Sequence, residues 1–287
     1  MHTTPEAPLA EPHSIPDRRR PGDGGAVSRR SDGQAAVAVA ICDLAHSFGD
    51  LRVIERIAAE ARTGEVLGVV GPSGCGKSTL LELVCGLREP ASGSIEIEGE
   101  RAPARRLDRC AYMPQRDLLL PWMRAIDNAA LPLRNRGVPR RAARRAAAPL
   151  FERFGLEGFE RARPSELSGG MRQRVAFLRT LLAGKPVLLL DEPFAGLDAI
   201  TRGEMQEWLA GALTGGRRTA LLVTHDVEEA LYLADRVLVL SRRPATVVAE
   251  LRSPAPRARP RNDAVTSLAF VEARERALAA LLQGGRG

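Results

Sequence analysis

"EVLGVVGPSGCGKSTL", residues 65–80, decides the architecture of this chain. A short β-branched apolar run leads into glycine, the pattern of a strand buried on both faces within a parallel sheet. The turn that follows fits G-x-x-x-x-G-K-[ST] at Gly71, Gly76, Lys77 and Ser78, and it opens a helical pattern, "KSTLLELVCGL". Strand, glycine loop and helix in that order are the context the motif requires. Glycines let the backbone turn tightly and aim its N–H groups at phosphate oxygens, and the helix N-terminus adds partial positive charge. Gly71, Pro72, Ser73, Gly74, Cys75, Gly76, Lys77, Ser78 and Thr79 are therefore the candidate phosphate cradle. The plain alternative, a fortuitous glycine turn, does not account for the flanking strand and helix.

Lysine is rare elsewhere: of 42 basic side chains, only Lys77 and Lys185 are not arginine. A cradle of backbone amides leaves room for a compact ammonium that bridges the β and γ phosphates. A planar guanidinium is wider and seeks a bidentate partner instead. The exception at position 77 is thus what the chemistry demands.

Such a cradle places the Ser78 hydroxyl on Mg²⁺ and calls for a carboxylate at the end of a neighbouring strand. "VLLLDEP" supplies Asp191, with Glu192 beside it. Asp191 is expected to hold the hydrated metal and Glu192 to act as general base on the attacking water. An acidic pair after a strand also serves as a helix cap, but beside a phosphate loop catalysis is the stronger reading. His225 ends another buried strand, "ALLVTHD", on the same sheet edge; alone it would pass for a hydrogen-bonded core histidine.

The 287 residues are 44% hydrophobic but only 4% aromatic, so Leu, Val, Ile and Ala are expected to build the core. No apolar run approaches the ~20 residues that cross a bilayer, and the N-terminus lacks a secretory stretch; both point to the cytoplasm. Cys42, Cys75, Cys85 and Cys110 have no paired spacing, which argues against zinc or a disulfide framework. The net charge is +7, and much of the basic charge lies in the tails and in "RNRGVPRRAARRAAA", read as a solvated face. Residues 1–35 read as a disordered extension rich in Pro, Gly, Ser and Arg. A folded region spans 36–255, opening on a small antiparallel sheet from "AVAVAIC", "RVIERIAAEA" and "SIEIEGE". Residues 123–183 read as mostly helical. A Pro- and Arg-rich linker and one amphipathic helix near 264–283 fill 256–287. The expected fold is α/β: a mostly parallel, RecA-like P-loop core with an antiparallel β subdomain and a helical insertion at about 116–172.

"ELSGGMRQRVAFLRTLL" resembles the signature of ATP-binding cassette proteins, at Leu167 to Gln173. Ser168 stands like an N-cap, so Ser168, Gly169 and Gly170 form a second anion-seeking helix terminus. In that family two cassettes face head to tail, and each signature caps the ATP on the other's P-loop. The same resemblance assigns Gln115 in "YMPQ" to the Q-loop, touching metal and water. It makes Ala195–Asp198 the D-loop and His225 the switch histidine that contacts the γ-phosphate. Phe48 in "HSFGD" falls where the family stacks an aromatic, more often tyrosine, on adenine. "AGLD" departs from the commoner "SALD".

Within the family, "LLLPWMRAIDNAALPL", "LSGGMRQRVAFLRTLL" and "LDAITRGEMQEWL" are similar to the importer branch for nitrate, sulfonate and taurine, which also includes thiamine-precursor pyrimidine systems. The resemblance implies a peripheral protein on the cytoplasmic membrane face that binds ATP and Mg²⁺ and dimerises. It implies membrane permease subunits as partners and an extracytoplasmic solute-binding protein as an indirect one. The apolar "RDLLLPW" after Gln115, with Trp122, is the expected permease contact; packing inside the helical insertion is its alternative. The rival class, a nucleic-acid ATPase of the same superfamily, rests on basic charge alone. No nucleic acid is expected.

Overall fold

The computed structural model describes residues 35–214, 218–254, 257 and 260–285. The expected N-terminal extension, Ala35 apart, lies outside the described residues. Two sheets carry the molecule. The smaller is antiparallel, in the order β2 (Leu51–Arg62), β1 (Val37–Phe48), β4 (Ser92–Ile97). Strand β1 runs well past "AVAVAIC" to Phe48, because register shifts near Asp43, itself at φ 47°, bend it without ending its pairing with β2.

The larger sheet is built from β3 (Val66–Val70), β5 (Cys110–Met113), β6 (Val187–Asp191), β7 (Thr219–Thr224), β8 (Arg236–Leu240) and β9 (Val247–Arg252). Their order is β5-β6-β7-β3-β8-β9, and every neighbouring pair is parallel except β8 and β9. The period-2 alternation of these strands splits the interior in two. Leu67, Val69, Leu189, Leu221, Val223 and Leu238 pack with α1 (Lys77–Cys85) and the antiparallel sheet. Val66, Val70, Leu188, Leu190, Leu222 and Val239 face the helices on the other side. Gly68 lets α8 (Val227–Leu233) approach β3 closely: a Cβ there would stand 3.0 Å from that of Ala234.

A helix not foreseen in the sequence, α2 (Pro103–Arg109), buries a guanidinium. Arg106 is 3% exposed and donates to the carbonyls of Leu83 and Val84, each at 3.1 Å, closing the orphan end of α1.

Helices α3 (Ala125–Ala129), α4 (Leu131–Asn135) and α5 (Arg140–Arg153) form the insertion, with irregular chain from Phe154 to Arg163. Helix α6 (Gly169–Leu182) then runs back to pack on β5, so residue 172 lies inside a continuous helix. The arginine-rich stretch is not simply a solvated face. Arg140 and Arg144 each donate through two nitrogens to the buried Asp127 at 2.6–3.1 Å. The Arg144 hydrogen bond, with Arg140 and against burial, holds that carboxyl well below the usual carboxylate range. Aromatics, though few, join the insertion to the core. Phe154 meets Trp208 of α7 (Ala199–Leu213) at 4.3 Å between ring centroids, and Phe177 lies 6.2 Å from Phe194.

The C-terminus departs from expectation. In place of one helix there are two, α9 (Arg261–Thr266) and α10 (Leu268–Gln283), with an extended Ser267 between them. The Ser267 hydroxyl accepts from Phe270 N at 3.4 Å and so caps α10. Arg261 ties the pair down, donating to Gln206 Oε1 at 2.7 Å and to Glu228. Arg257 in the linker is paired with Asp235 at 2.6 Å.

Candidate active site

The glycine loop is shaped by positions that a side chain would spoil. Gly76 sits at φ 122°, and a Cβ there would come within 2.8 Å of Val53 Cγ1. Helix α1 begins at Lys77 with no side-chain cap and no acid in its first turn. Its free N–H groups and dipole are left to an outside anion. Lys77 is 7% exposed, and its Nζ donates to the carbonyls of Gly71 at 2.8 Å and Pro72 at 3.1 Å. The ammonium is thus parked inside the loop it would serve. Cys75 contributes only backbone: its N–H donates to Pro72 O at 3.2 Å, and burial pushes its thiol up.

The acidic pair is divided by the backbone. Asp191, the last residue of β6, is 1% exposed. The chain then enters the left-handed region at Glu192, φ 50°, where Glu192 N donates to Val223 O at 2.8 Å. That turn sends Asp191 inward and Glu192 into the cleft. Burial raises the Asp191 carboxyl above its usual range, the Ser78 hydroxyl opposes this, and the Glu192 charge adds to it. Tyr112 reaches Asp191 Oδ2 at 3.5 Å, while Oδ1 is buried without a partner. An orphaned carboxylate oxygen beside Ser78 is the donor set a hard divalent cation fits. His225 Nδ1 lies within hydrogen-bond distance of Glu192 Oε2, at 2.5 Å, with the imidazole itself largely exposed.

Lys77, Ser78 and Glu192 line a cleft of about 230 Å³. Phe48 and Val53 stand on one side, loop residues from Ser73 to Thr79 form its floor, and Gln115, Glu192 and Arg243 complete it. Phe48 ends β1 at the mouth; the Arg88 guanidinium lies 5.0 Å from its ring centre and His46 meets it edge-on at 4.9 Å.

The signature is not part of this cleft. Ser168 and Gly169 are exposed, and Ser168 Oγ accepts from Met171 N at 3.2 Å to cap α6. From the same helix Arg172 donates to Asp117 at 3.0 Å, and Arg179 donates to the carbonyls of Asp117 at 2.6 Å and Leu118 at 2.8 Å. The segment after Gln115 is therefore laced to the signature helix. Within it Leu119 is in the core, whereas Leu118 is 55% and Trp122 71% exposed. Trp122 does not pack inside the insertion.

Asn128, fully buried, templates that outward turn. It accepts from Leu120 N at 2.8 Å and donates to the carbonyls of Leu120 at 3.1 Å and of Met123 and Arg124 at 3.3 Å. Sequence reasoning missed Asn128, Tyr112 and Arg243. An asparagine inside an apolar helical pattern was a usable signal for the first; for Arg243, one arginine among many, there was none.

A protein-family model described as "ABC transporter" matches residues 54–195. The chain is 44% identical over 202 residues to the formylaminopyrimidine import ATP-binding protein of Halalkalibacterium halodurans, covering 70% of this chain and 78% of that one. It is 45% identical over 228 residues to an aliphatic sulfonates import ATP-binding protein of Rhodococcus jostii, covering 79% and 88%. With a taurine import ATP-binding protein of Sinorhizobium fredii it shares 44% over 201 residues, 70% and 75% of the two chains. The solved cassette MJ0796, dimeric in a post-hydrolysis state bound to ADP and Pi, superposes with a TM-score of 0.69 at 25% identity, covering 76% of this chain and 99% of that one. Glycine loop, divided acidic pair and capped signature helix thus stand on the fold of a known ATPase cassette, and the chain belongs to the ABC transporter family as one of its ATP-binding subunits.

Proposed function

We propose that this chain hydrolyses Mg-ATP on the inner membrane face to drive an importer of a small solute of the nitrate, sulfonate or taurine type. The observation that carries the reading is the single cleft that gathers the P-loop, Gln115 and Glu192 above a buried Asp191 with an unpartnered oxygen. Mg²⁺ would be held by Ser78, Asp191 and Gln115, and would neutralise charge developing on the phosphates. Loop amides and the α1 N-terminus bind the phosphate chain, with Lys77 turning from the Gly71 and Pro72 carbonyls toward it. Glu192 takes the proton of the attacking water, oriented by His225. Phe48 stacks on adenine.

The exposed Ser168 and Gly169, with the half-buried Gly170, would meet the nucleotide of a second copy, head to tail, as the dimeric cassette structures support. Leu118 and Trp122 would dock on the permease, which in turn answers to an extracytoplasmic solute-binding protein. No helix of the described residues is long and apolar enough to cross a membrane, which fits a peripheral subunit. A pyrimidine precursor of thiamine is the second solute class, favoured by the relative named for formylaminopyrimidine import. Glu192→Gln tests the mechanism: ATP should bind, hydrolysis should slow by ~10²–10⁴, and an ATP-bound dimer should accumulate on size exclusion. Turnover at the unaltered rate, or a variant that stays monomeric with ATP, refutes the assignment.

A further inference from the structure

Arg243 stands in the turn between β8 and β9, far along the chain from the glycine loop, yet its side chain lines the same cleft. Its terminal nitrogen lies 3.4 Å from where a Cβ on Gly74 would be, so the guanidinium rests over the loop's backbone. The turn is fastened to the antiparallel sheet. Ala245 N donates to Val53 O and Glu55 N donates to Ala245 O, each at 2.9 Å. Ser241 closes the turn from within, its hydroxyl donating to Arg242 O at 2.9 Å and accepting from Thr246 N at 3.0 Å. The backbone that carries Arg243 is thus held against Val53, the residue that Gly76 must clear.

Other arginines of this chain are already spent on partners: Arg88 on Glu82, Arg172 on Asp117, Arg236 on Glu65 and Glu250. Arg243 has no carboxylate within ion-pair range among the described residues. An uncompensated guanidinium carried on a held turn over a loop of phosphate-seeking amides is matched by a polyphosphate, whose paired oxygens fit its fork. Lys77 does not duplicate that contact, because its ammonium is a point charge held at the Gly71 and Pro72 carbonyls, while the Arg243 fork lies at Gly74.

We propose that Arg243 is a nucleotide-binding residue whose guanidinium takes oxygens of the polyphosphate of bound ATP and ADP alongside Lys77. This rests on the ATPase reading above and extends it to a residue outside the motifs. The full chain is titrated with Mg-ATP and Mg-ADP by calorimetry as Arg243→Ala, Arg243→Gln, Arg243→Lys and Lys77→Ala. Both uncharged variants should lose about tenfold in affinity for both nucleotides, and Arg243→Lys should recover part of it. Their melting temperatures without nucleotide should match the unaltered chain, while the rise on adding nucleotide shrinks. Unaltered affinity in Arg243→Gln beside lost affinity in Lys77→Ala overturns the proposal and leaves the ATPase reading standing. So does a lower nucleotide-free melt in both uncharged variants with the nucleotide-induced rise intact, which makes the role structural. Absence of ATP binding by the unaltered chain overturns the ATPase reading itself.

Discussion

Glu229 lies on α8, just beyond His225, and is 4% exposed. Gln206 Nε2 donates to its Oε2 at 3.2 Å, while Oε1 has no partner. Burial, against the Thr224 hydroxyl and helped by the Asp226 charge, pushes the carboxyl from 4.5 up to about 8. A group whose folded value is raised supports the fold fully below its unfolded value. That support is lost as pH rises through the folded value. At pH 7 the unfolded chain has released this proton and the folded chain still holds it. The loss relative to acid pH is about 3 kcal/mol there, approaching about 5 kcal/mol above pH 8. Glu229→Gln keeps the shape of the neutral acid and removes the titration. Urea unfolding of both proteins at pH 5, 7 and 8.5 should therefore diverge. The variant should be close to the unaltered chain at pH 5 and ahead by about 2–3 kcal/mol at pH 7, with a larger lead at pH 8.5. A difference that stays flat across this range, or a variant that falls behind at pH 8.5, would refute the reasoning.

Lys77→Ala should abolish tight ATP binding, and Lys77→Arg should fail nearly as badly, because the socket of the Gly71 and Pro72 carbonyls admits an ammonium and not a planar fork; nucleotide titration checks this, and near-normal affinity for the arginine variant contradicts it. Trp122→Ala should leave the melt of the isolated subunit and its ATP affinity unchanged, since the ring is 71% exposed, while co-purification with the permease is lost. Asn128→Ala leaves the Leu120 N–H without its acceptor and the Met123 carbonyl without its side-chain donor, while the Leu120 and Arg124 carbonyls keep backbone donors, and should cost about 1–3 kcal/mol in urea unfolding; a variant as stable as the unaltered chain would show that the loop after Gln115 is held by other contacts.

Much of this protein could be read from the chain because its signals are local. A β-branched run into G-x-x-x-x-G-K-[ST] and a helical pattern reads as a phosphate loop from a few adjacent residues, since backbone geometry and helix dipole act over that range. The same locality covers Lys77, the pairing of Asp191 with Glu192, and Ser168 as the cap of α6. Tertiary structure decided what depends on residues remote in sequence. Period-2 alternation could not say that Leu67 and Leu189 would share one core while Val66 and Leu190 share the other, because that requires the strand order. The different directions of the Asp191 and Glu192 side chains rest on a left-handed turn at Glu192 that no glycine announces. The break at Ser267 was hidden because both α9 and α10 continue one helical pattern, and only packing on α7 and α8 fixes their separate directions. Arg243 and Arg106 are each one arginine among many in the sequence. What sets them apart is where the folded chain brings them: one against a phosphate loop, the other against the bare carbonyls of a helix end, where charge and geometry become specific.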